Sequence, residues 1–145
     1  MRAVVVAAVV GLAISGCSAL GIAPEAPMQG TWKGNMGCES NGMESQDITF
    51  RFLNGSYNGA FYGTAENNII ERGRRGWMRY TVEGSSFLGQ VTVKPKQLLE
   101  RQGNYYAMTF TARKSGPDKM VTQFCGKDIV FTRVSSESPI KKTQN

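Results

Sequence analysis

Residues 77–93 read WMRYTVEGSSFLGQVTV, and the spacing of their side chains decides the fold class. Met78, Tyr80 and Val82 fall on one side of an extended chain, and Trp77, Arg79 and Thr81 on the other. That period of two suits a half-buried strand and has no use in a helix, whose faces repeat near 3.6. Glu83-Gly84 supplies a turn signal, so Phe87 to Val93 is expected to return as the second strand of a hairpin.

The same pattern runs outward in both directions. Ile48, Phe50 and Phe52 alternate with Thr49 and Arg51, Asn54-Gly55 then accepts the left-handed backbone of a tight turn, and Tyr57 to Tyr62 comes back. Downstream, Tyr105 to Ala112 puts Tyr106, Met108 and Phe110 on one face, Gly116-Pro117-Asp118 turns into Met120 to Phe124, and Ile129 to Val134 closes the set. With Gly30 to Met36 as the first strand, this predicts an all-β chain of seven or eight antiparallel strands joined in sequence order. Such a meander closes into an up-and-down barrel or folds into a sandwich, and closure removes the exposed edges that make strands aggregate. No window of twelve residues carries a helical stripe.

Residues 1–16 have the parts of an export signal: Arg2 for charge, an apolar run from Ala3 to Ile14, and the small pair Ser15-Gly16. Twelve apolar residues rise only about 18 Å as a helix, short of the roughly 30 Å hydrocarbon core, so a permanent span is not expected. Ile14-Ser15-Gly16-Cys17 resembles the bacterial lipobox. The resemblance implies cleavage before Cys17, a diacylglyceryl group on its thiol, and acylation of the new amine by a palmitate-type chain. Two or more such chains hold a protein firmly at a membrane. Ser18 follows the cysteine rather than the Asp that retains enteric-type lipoproteins in the inner membrane. The implied address is therefore the bacterial cell envelope, on the outer membrane facing the periplasm. An ordinary secretory signal, with Cys17 merely the first cysteine of the mature chain, is the competing reading.

Removal of residues 1–16 leaves 129 of the 145, enough for one domain with a core of its own and not for two. Ser18 to Gln29 holds Pro24 and Pro27 without apolar periodicity and reads as a flexible tether, so residues 17–29 join the anchor to the fold. The barrel domain is expected over 30–134, and the polar stretch 135–145, with Pro139 and Lys141-Lys142, as a disordered tail. Loss of Arg2 turns 17 basic residues into 16 against 11 acidic ones, a mature charge of +5 that favours anionic neighbours. Nucleic acid is not an expected target outside the cytoplasm. With Cys17 used for lipid, Cys38 and Cys125 remain as an even pair in an oxidising compartment and are expected to form a disulfide. A metal site competes poorly, because the chain has no His.

Gly30-Thr31-Trp32 opens the first strand and Phe131-Thr132-Arg133 ends the last. The chain is similar in this to the calycin superfamily of lipocalins, fatty-acid-binding proteins and avidins. That resemblance implies a lipocalin-like barrel whose base is closed by the pair Trp32 and Arg133. Ile129 to Arg133 and Ser86 to Gln90 resemble avidin strands, yet the biotin pocket of that family needs several tryptophans and only Trp32 and Trp77 exist here. Trp32, Gly34, Cys38, Cys125 and Phe131 to Arg133 also match the layout of small envelope lipoproteins. Gly76-Trp77-Met78-Arg79-Tyr80 loosely resembles the Ser-Gly-x-Arg/Lys-Tyr loop of envelope lysozyme inhibitors, without its Ser and with spacing one residue off.

Catalysis is not expected. Nucleophilic chemistry needs a base beside a Ser, Cys or Thr; His is absent, the cysteines are committed, and the carboxylates sit in turns and at strand ends. No motif asks for a cofactor. Arg72, Arg74, Arg75 and Arg79 around Trp77 form the one local cluster able to meet an anionic group or lipid headgroup, and a solvated hairpin explains it as well. Tyr57, Phe61, Tyr62, Tyr80, Tyr105 and Tyr106 are candidates to line a cavity or simply to fill a core. The expected function is non-catalytic binding, of a small apolar or anionic ligand. The alternative is a protein-partner module, such as a hydrolase inhibitor or an accessory of envelope assembly.

Overall fold

Eight alternating segments each pair with their neighbours in sequence, and the last pairs with the first. The computed structural model describes residues 27–139; the export segment, Cys17, tether residues 18–26 and residues 140–145 lie outside the described residues. The strands are β1 (Gly30–Asn35), β2 (Met43–Asn54), β3 (Ala60–Glu71), β4 (Arg74–Phe87), β5 (Gln90–Gln102), β6 (Phe110–Gly116), β7 (Lys119–Phe124) and β8 (Lys127–Ser135). All are antiparallel to their neighbours, and they form one closed barrel in the order β1 to β8. The chain is thus an eight-stranded up-and-down barrel, not a sandwich. A single 3₁₀ turn, Glu39–Asn41, interrupts the β1–β2 connection.

The inward faces follow the expected parity. Ile48, Phe50 and Phe52 of β2 and Met78, Tyr80 and Val82 of β4 are all buried. Aromatic rings fill the lower half: Phe50 contacts Phe52, Phe110 and Phe131 at centroid separations of 5.1, 5.3 and 5.7 Å, and Phe52 contacts Phe61 at 4.6 Å. Offset and tilted rings at such distances gain beyond their buried area.

The base is sealed by Trp32 and Arg133, which face each other across β1 and β8. The indole N–H donates to the Met28 carbonyl at 2.9 Å, and the Arg133 guanidinium lies 4.7 Å from the ring centroid. The guanidinium also donates to the carbonyls of Gln29, Pro27 and Pro117 at 2.8, 2.9 and 2.7 Å, and its Nε sits 3.0 Å from Asp118 Oδ1. One planar fork thereby joins two segments at the strand ends, Pro27 to Gln29 and the β6–β7 turn at Pro117-Asp118, a reach for which a lysine's compact ammonium lacks the geometry. Pro27 to Gln29, read as tether, are part of this seal, and Met28 is buried.

Several expected boundaries move. Glu83-Gly84 lies inside β4 rather than at its turn; Gly84 is needed because the Phe61 ring occupies the place a Cβ would take. The turn falls instead at Leu88-Gly89, both with positive φ, and the same two-residue device recurs at Arg72-Gly73 and Cys125-Gly126. Two consecutive left-handed residues mark the turn whose twist matches flanking strands. The return strand after Asn54-Gly55 begins at Ala60, not Tyr57, which is 73% exposed. Residues 103–109 form no strand, so the expected strand Tyr105 to Ala112 shortens to its last three residues, Phe110 to Ala112, at the start of β6.

Candidate functional site: the mouth of the barrel

Strand length creates the site. β2, β3 and β4 run 12, 12 and 14 residues, whereas β6 and β7 run only 7 and 6. The wall is therefore tall on one side and low on the other, and the low side is crossed by the strandless segment 103–109. β5 pairs with β6 only over Gln90 to Val93, so its upper half has β4 as its sole strand partner among the described residues. At that end, opposite the Trp32 seal, the interior is not filled. A cavity of about 300 Å³ opens there, the volume of roughly ten waters.

Phe50 and Phe110 form its floor, and Ile48, Ile69 and Met78 its walls. Met36 and Met43 stand at the rim beside the β1–β2 connection, and Tyr105, Tyr106 and Met108 lie over the opening from the 103–109 crossing. Tyr105 can lie across the top of β4 because Gly76 and Gly103 leave its ring the space their missing Cβ atoms would occupy. Among the described residues, no Asp, Glu, Lys or Arg lines the cavity. Methionine adapts to irregular shapes, so a rim built of it accepts more than one ligand outline.

Gln46, Thr109, Thr111, Thr122 and Gln123 add polar groups around the opening, and two further polar side chains are buried in the wall. Asn67 on β3 is 2% exposed and Tyr80 on β4 is 5% exposed, and the Tyr80 hydroxyl donates to Asn67 Oδ1 at 3.4 Å. Burial drives the Tyr80 pKa up to about 12. Because the folded value exceeds the unfolded value of 10.0, the neutral phenol stabilises the fold fully below pH 10, and this contribution disappears as pH rises through about 12. Urea unfolding between pH 9 and 12 should show stability falling by roughly 2–3 kcal/mol from this group; Tyr80→Phe should flatten that part of the profile.

The rim is braced on one side only. The Cys38–Cys125 disulfide, with Cα atoms 5.7 Å apart, joins the β1–β2 connection to the β7–β8 hairpin. The β3–β4 hairpin is tied to the same connection through Arg72 N–H to Gly42 O at 2.9 Å and Gly73 N–H to Glu44 Oε1 at 2.9 Å. Segment 103–109 has lighter ties, among them Arg101 to the Tyr105 carbonyl at 3.3 Å.

No protein-family model, curated protein or solved structure matches the chain.

Of the residues read from the sequence as possible ligand contacts, Tyr106 reaches the cavity, 71% exposed and with the Arg101 guanidinium 5.5 Å from its ring. Arg72, Arg74, Arg75, Trp77 and Arg79 do not line it. Trp77 and Arg79 take the opposite parity to Met78 and Tyr80, on the outer wall, where Arg79 meets Glu100 at 2.9 Å. Among the cavity candidates, Tyr80 and Tyr105 line the mouth, Phe61 is core, and Tyr57 and Tyr62 are exposed elsewhere. Asn67 and the methionines were not singled out by the sequence reading. The signal was there in parity: Asn67 shares the inward register of Ala65 and Ile69, but Glu66-Asn67-Asn68 looks like a polar turn.

Proposed function

We propose that this chain is a lipid-anchored envelope protein whose barrel mouth binds a small apolar ligand without transforming it. The observation that carries the reading is the cavity: a closed barrel packed at one end and hollow at the other, with apolar walls and a few polar groups, has the composition of a ligand site. The lipobox at Cys17 and the export signal support the address. The anionic half of the expectation finds no cation on these walls, and we confine the ligand to apolar molecules.

Native mass spectrometry of the Cys17→Ser chain, secreted and purified without detergent, tests this. A reproducible added mass of a few hundred daltons is expected, and Met43→Trp, which fills the rim at a half-buried position, should weaken its retention by about tenfold or more. A chain that carries no adduct and takes up no apolar probe would overturn the reading. That outcome would favour the second one, a protein partner adding a strand to the upper half of β5, where Leu98 and Leu99 are 45% and 42% exposed beside an edge with no strand on its other side among the described residues.

A further inference from the structure

The geometry points to a selective anchor in the cavity wall: the Asn67 side-chain amide, oriented by Tyr80, donates a hydrogen bond to a neutral acceptor, such as a carbonyl or ether oxygen, on an otherwise apolar ligand. This rests on the mouth being a ligand site and narrows what it takes.

Asn67 sits in the middle of β3, opposite Ile48 on β2 and Met78 on β4, both inward and buried. An aliphatic residue would fill that place without the cost of burying an amide. The Tyr80 hydroxyl occupies Oδ1, and among the described residues nothing accepts a hydrogen bond from Nδ2. Nδ2 is not among the solvent-sealed side-chain atoms without a hydrogen-bond partner, where Arg133 Nε stands alone among the described residues, so it stays open to the cavity and takes its partner from there. Here the donor belongs to a residue on the cavity wall, so an entering molecule can supply that partner.

The rest of the wall sets the charge. The other side chains around the cavity are aliphatic, aromatic, thioether, hydroxyl or amide groups, and among the described residues none is a carboxylate, ammonium or guanidinium. A carboxylate or sulfonate lodged beside Asn67 would lose its hydration with no counter-charge to replace it, which a single neutral donor does not offset. A hydrocarbon would enter but leave Nδ2 unpaired. A ketone, ester or ether meets both requirements.

Three ligands of one shape separate these cases: 2-acetylnaphthalene, 2-ethylnaphthalene and 2-naphthoate, titrated against the Cys17→Ser chain with binding followed by chemical shifts of the Met78 and Met36 methyl groups. The ketone should bind about fivefold to tenfold more tightly than the hydrocarbon, and the carboxylate should be the weakest of the three. In Asn67→Leu the hydrocarbon affinity should hold while the ketone loses its advantage. Tyr80→Phe, which releases the amide without removing it, should reduce that advantage only in part. Equal binding of ketone and hydrocarbon, or a ketone preference that survives Asn67→Leu, overturns the anchor and leaves the mouth as an apolar site. Failure of all three to move the cavity methyl groups overturns the site reading together with the anchor.

Discussion

Replacing Cys38 and Cys125 together by Ser is expected to lower the midpoint of thermal unfolding by on the order of 15–20 °C. The bridge spans 87 residues and joins the connection after the first strand to the hairpin before the last, so it encloses nearly the whole barrel. A loop of that size removes about 4–5 kcal/mol of conformational freedom from the unfolded chain in the entropic account. Little elsewhere makes up the loss, since β1–β8, the pair that closes the barrel, has a short and irregular register from Thr31 to Lys33. Scanning calorimetry of the oxidised protein, the reduced protein and the double variant gives the answer. A shift below about 5 °C would mean that the Trp32–Arg133 seal and the β1–β8 ladder hold the barrel closed by themselves.

Trp32→Ala should cost about 3–5 kcal/mol, the range for deleting a large aromatic from a core. Trp32 is fully buried, and its loss removes the platform under the Arg133 guanidinium and the donor to the Met28 carbonyl at once. A domain of this size has only about 5–15 kcal/mol in total, so the variant should lie near the edge of folding at 37 °C. Trp32→Phe keeps most of the volume but leaves the Met28 carbonyl without its donor, and should lose less. Urea midpoints for the two variants, alone and with Arg133→Lys, form a cycle that isolates the stacking. Effects of Trp32→Ala and Arg133→Lys that simply add would show that the ring and the guanidinium act independently.

The barrel was legible because β2, β3 and β4 keep strict parity, and Phe50, Met78 and Tyr80 could be assigned inward from spacing alone. The turns were less so. Arg72-Gly73, Leu88-Gly89 and Cys125-Gly126 make left-handed pairs whose first residues have little liking for that backbone, whereas Asn54-Gly55, the pair with the strongest turn chemistry, opens a longer loop. Gly84 resembled a turn residue and is a notch for Phe61. The upper half of β5 escaped notice because it lacks alternation: register shifts opposite Tyr80 and Val82 leave Leu98 and Leu99 both exposed. Tyr105 to Thr109 has the composition of a strand and no partner to pair with, and pairing is what composition does not reveal. The mouth was half readable, through its tyrosines. Asn67 was hidden by its polar neighbours, and the hollow itself depends on unequal strand lengths that no local pattern records.

The chain enters and leaves the barrel at the sealed base, and there Gly30 lies so close to the Ser135 carbonyl that any side chain would collide with it. Whatever grips this protein by its ends, whether an acyl group, a fusion partner or a solid support, therefore grips a cup by its foot. An attachment made through either end meets the barrel on the side away from its opening and leaves the mouth uncovered.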